Sequence, residues 1–137
     1  MFENPASEEV CAFLKKVKNI AVVGLSPVAS RPSYGVARKM QGFGFNIIPV
    51  RPKVSEVLGQ KAYATLAEVP DIIDLVNVFR AAEHIDAIVD ECIALKVPAL
   101  WIQQGIVNES AAQRAREAGL FVVMDRCIFV DYAGNCI

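Results

Sequence analysis

The sequence predicts an α/β domain organised on a doubly wound, five-stranded parallel sheet preceded by a helix. Three observations carry that prediction. Short apolar runs alternate with amphipathic helical stretches along the chain. The first run breaks at a glycine and opens into a polar loop before a helix begins. The composition, 54% hydrophobic with a mean hydropathy of +0.36 over 137 residues, suits strands covered on both faces.

The elements follow in order. Ser7 is placed as the N-cap of a first helix, with Glu8 and Glu9 in its first turn. Lys15, Lys16 and Lys18 crowd its far end, where cations match the helix dipole. Val10, Phe13, Leu14 and Val17 share one face of that helix. Ile20 to Val23 is strand one. A helix runs from about Ser33 or Tyr34 to Gly42, with Val36, Ala37 and Met40 inward, and Gly42 and Gly44 end it. Asn46 to Val50 is strand two. Residues 54–70 form a long excursion with a short helix near Leu66 to Val69. Leu75 to Val78 is strand three. Ile85, Ile88, Val89 and Cys92 mark the inner face of the next helix. Ala99 to Ile102 is strand four. Asn108 caps a helix whose small face is Ala111, Ala112, Ala115 and Ala118, and Gly119 stops it. Leu120 to Met124 is strand five.

Composition excludes several function classes. Fourteen basic against fifteen acidic residues give a net charge of -1, without the basic excess of a nucleic-acid protein. No apolar run approaches the roughly 20 residues of a membrane span, and the N-terminal stretch lacks a basic region and an apolar signal core. Cys11, Cys92, Cys127 and Cys136 form no Cys-x-x-Cys pair, and with one histidine no zinc spacing exists. They read as free thiols of a reducing cytoplasm. No linker, repeat or low-complexity segment divides residues 1–137, which are expected to form one domain.

Right-handed crossovers are expected to give strand order 3-2-1-4-5. Ligands of such folds sit outside the carboxyl ends of the strands at the switch in strand order, here expected between strands one and four. Strand one delivers Gly24, Ser26 and the loop with Arg31, Ser33 and Tyr34 to that edge. Strand two delivers Arg51 and Lys53, and strand three Phe79 and Arg80. Strand four delivers Gln103, Gln104 and Gly105, and strand five Arg126 and Cys127. Four of the seven arginines therefore fall just after strands. Their forked guanidinium groups suit phosphate oxygens.

The loop Gly24-Leu25-Ser26-Pro27-Val28-Ala29 keeps only the first glycine of the Gly-x-Gly-x-x-Gly dinucleotide fingerprint. Gly24 still supplies the tight turn. Ser26 and Ser33 are candidate donors to phosphate, and the helix start near Ser33 offers free N–H groups. Where NAD-binding chains place a carboxylate after strand two, this chain has Arg51. A cation there suits an adenine nucleotide with an extra ribose phosphate. NADP and coenzyme A both qualify.

The segments GLSPVASRPSYGV, NIIPVRP, VNVFR, WIQQGIVNESAAQRAREAGL and VVMDRC together resemble the small stand-alone CoA-binding proteins of bacteria and archaea. These are relatives of the CoA-binding domain of the succinyl-CoA synthetase α subunit. The resemblance runs from about Ile20 to Cys127. It implies a Rossmann-like fold with CoA or an acyl-CoA over Gly24-Leu25-Ser26, closed by Arg31, Ser33 and Tyr34. It also implies contacts from the segments holding Arg51, from Phe79 and Arg80, and from Gln103 and Gly105. The family often has Asn or Ser where this chain has Arg51.

The resemblance implies no reaction. The phosphorylated histidine of the synthetase belongs to a further domain. His84, the one histidine here, is placed on a helix surface, and no catalytic set can be assembled. Asp125 and Arg126 are candidates for an ion pair. Cys127 is read as an inert thiol, with a mixed disulfide to CoA as the alternative. Trp101 is expected to pack against a helix, and Phe79 either to stack on adenine or to line the pantetheine channel. The expected function is non-catalytic binding of CoA or an acyl-CoA, with no metal and no nucleic-acid or membrane partner. An NADP-binding oxidoreductase and a subunit of an acyl-CoA ligase-type enzyme are the alternatives. An edge strand leaves pairing into a homodimer open.

Overall fold

The computed structural model describes residues 2–137. Its helices are α1 (Ser7–Leu14), α2 (Pro32–Gly42), α3 (Ile85–Leu95), α4 (Glu109–Glu117) and α5 (Ile128–Asn135). Its strands are β1 (Asn19–Val23), β2 (Asn46–Val50), β3 (Glu56–Val57), β4 (Gln60–Lys61), β5 (Leu75–Val78), β6 (Ala99–Ile102) and β7 (Phe121–Met124). The expected strands one to five are thus β1, β2, β5, β6 and β7. They form one parallel sheet, while β3 and β4 pair as a separate small hairpin.

Strand order corrects the expectation. The sheet runs β2-β1-β5-β6-β7, so the third main strand returns beside the first instead of continuing outward past the second. Handedness does not choose between these orders, but Pro49 does. Gly24 N–H donates to the Val50 carbonyl, so Val50 faces β1, and Pro49, one residue earlier, faces the outer edge of β2. Proline has no N–H, and a strand with an outward proline cannot hold a full parallel neighbour there. The excursion supplies a shorter cover. Tyr63 N–H donates to the Pro49 carbonyl at 3.0 Å, and Arg51 N–H donates to the Tyr63 carbonyl at 2.8 Å. The switch in strand order therefore lies between β1 and β5, not between the first and fourth main strands.

The sheet is covered on both faces. Ile88, Val89 and Cys92 of α3 and the alanines of α4 pack on Val76, Val78, Leu100 and Ile102. Asn108 starts α4 by accepting from Ala111 N–H at 3.1 Å, as its sequence position predicts. On the other face Val10 and Leu14 of α1, Ala37 and Met40 of α2 and Ile128 of α5 meet Val22, Ile47, Leu75 and Trp101. Trp101 is fully buried, and its indole N–H donates to the Arg126 carbonyl at 2.8 Å. At α1 the helix begins on Ser7 itself, with Ala6 at the cap position and no side-chain cap. Lys15 lies just past its end.

The sequence reading stops at strand five, but α5 follows. Gln103 Oε1 accepts from Ile128 N–H at 3.1 Å and so caps it. Phe129 and Tyr132 pack against Phe43 and Phe45. Placing α5 beside α1 corrects the thiol assignment too. Cys11 and Cys136 meet across the two helices as a disulfide, with their Cα atoms 5.2 Å apart at a sequence separation of 125. Only Cys92 and Cys127 are free thiols.

Burial pushes the Cys92 thiol up to about 12 from 9.0, with Glu91 adding to the effect. The unfolded thiol ionises above 9.0 while the folded one stays neutral, so the unfolded state binds fewer protons between these values. Stability is then expected to fall with rising pH in that window, by up to about 1.4 kcal/mol per pH unit from this group. Urea unfolding at stepped pH, compared with Cys92→Ala, reads it. An identical slope in both proteins would show that Cys92 does not contribute.

Candidate functional site

Parallel strands ending side by side place the loops after β1, β2 and β5 on one edge. At its centre the chain turns at Gly24, with φ +84°. A Cβ at Gly24 would lie 2.5 Å from the Phe79 carbonyl oxygen and 3.0 Å from Arg80 Cδ. Glycine is therefore required twice, by the backbone conformation and by the close approach of the β5 tip.

Beyond the turn the loop is held by its own hydroxyls. Ser26 N–H donates to Ser33 Oγ at 3.0 Å, and Val28 N–H donates to Ser26 Oγ at 3.0 Å. Both serines are buried, and each accepts through oxygen, which leaves its hydroxyl proton for a further acceptor. Pro32 occupies the first turn of α2, where its missing N–H costs nothing. Arg51 donates from Nη1 to the Gly24 carbonyl at 3.1 Å and so ties the β2 tip to the turn.

Two neighbouring clefts open here. The first, about 710 Å³, is lined by Ser26, Arg31, Ser33, Lys53 and Ile106. The second, about 650 Å³, lies toward α3 and is lined by Val50, Thr65, Leu66, His84, Ile88 and Glu91. Gly24, Arg51, Phe79 and Arg80 line both. Arg31, Arg51, Lys53 and Arg80 have no carboxylate partner among the described residues. Four cations without a carboxylate partner among the described residues stand around one turn, beside a helix N-terminus and two serine hydroxyls, groups whose chemistry suits phosphate oxygens.

The structure thus brings together Gly24, Ser26, Arg31, Ser33, Arg51, Phe79 and Arg80 of the sequence candidates. Tyr34, Gln103 and Gly105 line neither cleft. Tyr34 packs against the core beneath α2. Gln103 is buried as the α5 cap, and Gly105 N–H donates to Asp125 Oδ1 at 2.7 Å. The loop after β6 reaches the first cleft through Ile106 instead. Arg126 is engaged elsewhere, donating to the buried Asp131 carboxylate at 3.0 Å, so the expected Asp125–Arg126 pair is not made. Cys127 lines a separate cavity of about 340 Å³ with Arg126 and Asp131.

Sequence reasoning missed Thr65 and Glu91 and left His84 on the helix surface. The His84 side chain is 45% exposed, yet it stands at the rim of the second cleft. Lys53 had a signal, its place just after β2 behind Arg51 and Pro52, and it takes the left-handed conformation at φ +64°. Thr65 had none, because its position depends on Tyr63 docking on β2.

A family model described as CoA binding domain matches residues 18–133. The chain is 44% identical over 131 residues to the uncharacterized protein YneT of Bacillus subtilis (strain 168), covering 96% of this chain and 97% of that one. It is 28% identical over 121 residues to an ADP-forming acetate–CoA ligase I of Archaeoglobus fulgidus. That match covers 88% of this chain but 18% of the ligase. Among solved structures, a hypothetical protein from Pyrococcus horikoshii OT3 superposes with a TM-score of 0.91 at 31% identity, over 98% of this chain and 99% of that chain.

Proposed function

The chain belongs to the family of CoA-binding domains, and on that premise we propose that residues 1–137 act as one unit that binds coenzyme A or an acyl-CoA across the two clefts. The observation that carries the reading is the set of four cations, Arg31, Arg51, Lys53 and Arg80, that stand around the Gly24 turn with no carboxylate partner among the described residues. Coenzyme A carries a diphosphate and a ribose 3′-phosphate, and such a charge needs several donors converging from different strands. Ser26 and Ser33 add hydroxyl donors, and the start of α2 adds its dipole. In this reading the role is binding without catalysis: Ser26, Ser33, Arg31, Arg51, Lys53 and Arg80 offer hydrogen-bond donors to phosphate, and His84 at the rim has an exposed carboxylate, Glu83, 3.8 Å away as its ion-pair neighbour.

Titration calorimetry with CoA, dephospho-CoA, NADP and NAD tests this. CoA is expected to bind, and dephospho-CoA to bind more weakly. Binding of NADP in place of CoA would favour an oxidoreductase instead. In Arg51→Ala the gap between CoA and dephospho-CoA is expected to narrow by about 1.5–3 kcal/mol, the contribution of a hydrogen bond to a charged group. An unchanged gap would place the 3′-phosphate away from Arg51.

The similarity to an ADP-forming acetate–CoA ligase supports a second reading, a CoA-holding part whose catalytic groups come from a partner chain. Co-purification of the chain with a protein that confers CoA-dependent ligase activity is the result that would favour it.

A further inference from the structure

We propose that the outer edge of β7 is a pairing surface for a second copy of this chain, and that residues 2–5 form a strap that keeps it closed. The proposal stands apart from the CoA reading. β7 ends the sheet, with β6 on one side only. Phe121 N–H donates to the Pro98 carbonyl and Asp125 N–H to the Ile102 carbonyl, so alternate residues of the strand face β6. Val122 and Met124 fall between them and turn their backbone groups outward. Asn4 meets both groups of Met124. Its Oδ1 accepts from Met124 N–H at 2.8 Å, and its Nδ2 donates to the Met124 carbonyl at 2.8 Å. One side-chain amide thus stands where the peptide of a neighbouring strand would stand. Phe2 anchors the strap. It is buried in the cluster that holds Val122, Met124 and Ala115, and the Arg116 guanidinium lies 4.0 Å over its ring. Arg116 also donates from Nη2 to the Glu3 carbonyl at 2.7 Å.

A strand edge is normally blunted by a proline, a charge, a bulge or a covering segment. The opposite edge, β2, has Pro49 and the Tyr63 cover. β7 reads Phe-Val-Val-Met, with neither proline nor charge, so its protection comes from the strap. Residues 2–6 make no backbone hydrogen bond to Val122, so the cover stops at Met124. The occupant that fits this edge is the same strand of a second copy. About a two-fold axis at Val123, antiparallel pairing sets Val122 of one copy opposite Met124 of the other, and each such pair exchanges both hydrogen bonds. The edge is self-complementary in that register, because Phe121 and Val123 turn their groups to β6 and leave only Val122 and Met124 to be matched. Asn4 and a second copy compete for the same two groups of Met124. Pairing therefore requires the strap to leave.

The test uses the full chain with Phe2→Ala and Asn4→Ala together, compared with the wild type by light scattering across a concentration series. The wild type is expected to stay monomeric. The double variant is expected to dimerise at least about tenfold more tightly, since two hydrogen bonds at Met124 are no longer satisfied within the chain and can be made between copies. Amide hydrogen exchange locates the contact. In the dimer the Val122 and Met124 amides are expected to exchange slowly, and to speed up on dilution. Asn4→Ala alone keeps the Phe2 anchor, and the same two readings on it decide the matter if the double variant does not fold. A strap-released chain that stays monomeric while its Met124 amide exchanges freely would overturn the proposal. A dimer that leaves Val122 and Met124 unprotected would overturn it too, since the copies would then meet on another surface. A wild type that is already dimeric through β7 would show that the strap does not close the edge.

Discussion

Gly24→Ala is expected to cost both stability and ligand binding, while Gly44→Ala costs stability alone. Both glycines have positive φ, +84° and +104°. An alanine at either pays the conformational penalty, about 1–3 kcal/mol. They differ in what the new methyl group meets. At Gly44 nothing lies within 4 Å of a Cβ, whereas at Gly24 the Phe79 carbonyl oxygen lies 2.5 Å away. That oxygen is backbone at the end of β5, so the β1 and β5 tips must separate. Overpacking of this kind adds about another 1–3 kcal/mol. Separation also moves Arg80, whose Cδ rests against the Gly24 position, and Arg51, which donates to the Gly24 carbonyl. CoA affinity is therefore expected to fall by two orders of magnitude or so, as when two charge-assisted contacts are lost. Urea unfolding and calorimetry on both variants read the contrast. Equal stability losses with CoA affinity kept in both would show that the close approach at Gly24 is not a constraint on the site.

The sheet was legible because its strands are short apolar runs bounded by turn residues. Asn46–Val50, Leu75–Val78 and Ala99–Ile102 lie where the pattern puts them. The order is not legible from the run Asn46–Val50 alone, because Pro49 sits there as one more apolar residue unless it is read as a missing donor on an edge. That single residue held the information that β2 has no strand beyond it. The C-terminal α5 was missed because its own pattern is weak. Asp131 and Gly134 interrupt the apolar face, and the helix depends on tertiary partners, Gln103 at its start and Phe43 and Phe45 along its side. At the site, the cations after β1, β2 and β5 could be found from position alone. Gln103 and Gly105 stand at an equally suggestive strand end. Their hydrogen bonds turn them toward α5 and Asp125, and nothing in their local sequence distinguishes the two outcomes. The second cleft was the least legible part, since Thr65 comes from a loop whose path is set by Tyr63.

Reduction of the Cys11–Cys136 disulfide is expected to be the largest single loss of stability short of disrupting the core. The bond closes a loop of 125 residues in sequence separation. On the chain-entropy account a loop of that length restricts the unfolded ensemble by close to 5 kcal/mol, and native disulfides typically contribute about 2–4 kcal/mol. Set against a usual total of about 5–15 kcal/mol, either figure is a large fraction. Both cysteines are partly exposed, so a small thiol can reach the bond in the folded protein. Urea unfolding with and without reductant is the measurement. The midpoint is expected to fall, and the slope to rise as the unfolded chain expands. A Cys11→Ser, Cys136→Ser double variant should match the reduced protein and show no further response to reductant. Cys127→Ser should keep the full response, since Cys127 is a free thiol at the start of α5. CoA affinity at 25 °C should change little. The bond joins α1 to α5, whereas the cations proposed to hold the ligand stand after β1, β2 and β5 on a sheet whose hydrogen bonds do not involve either helix. A reduced protein that keeps its fold but loses CoA would contradict that separation. It would instead make α5 a relay, from the disulfide through Gln103 and the Trp101–Arg126 contact to the strand tips.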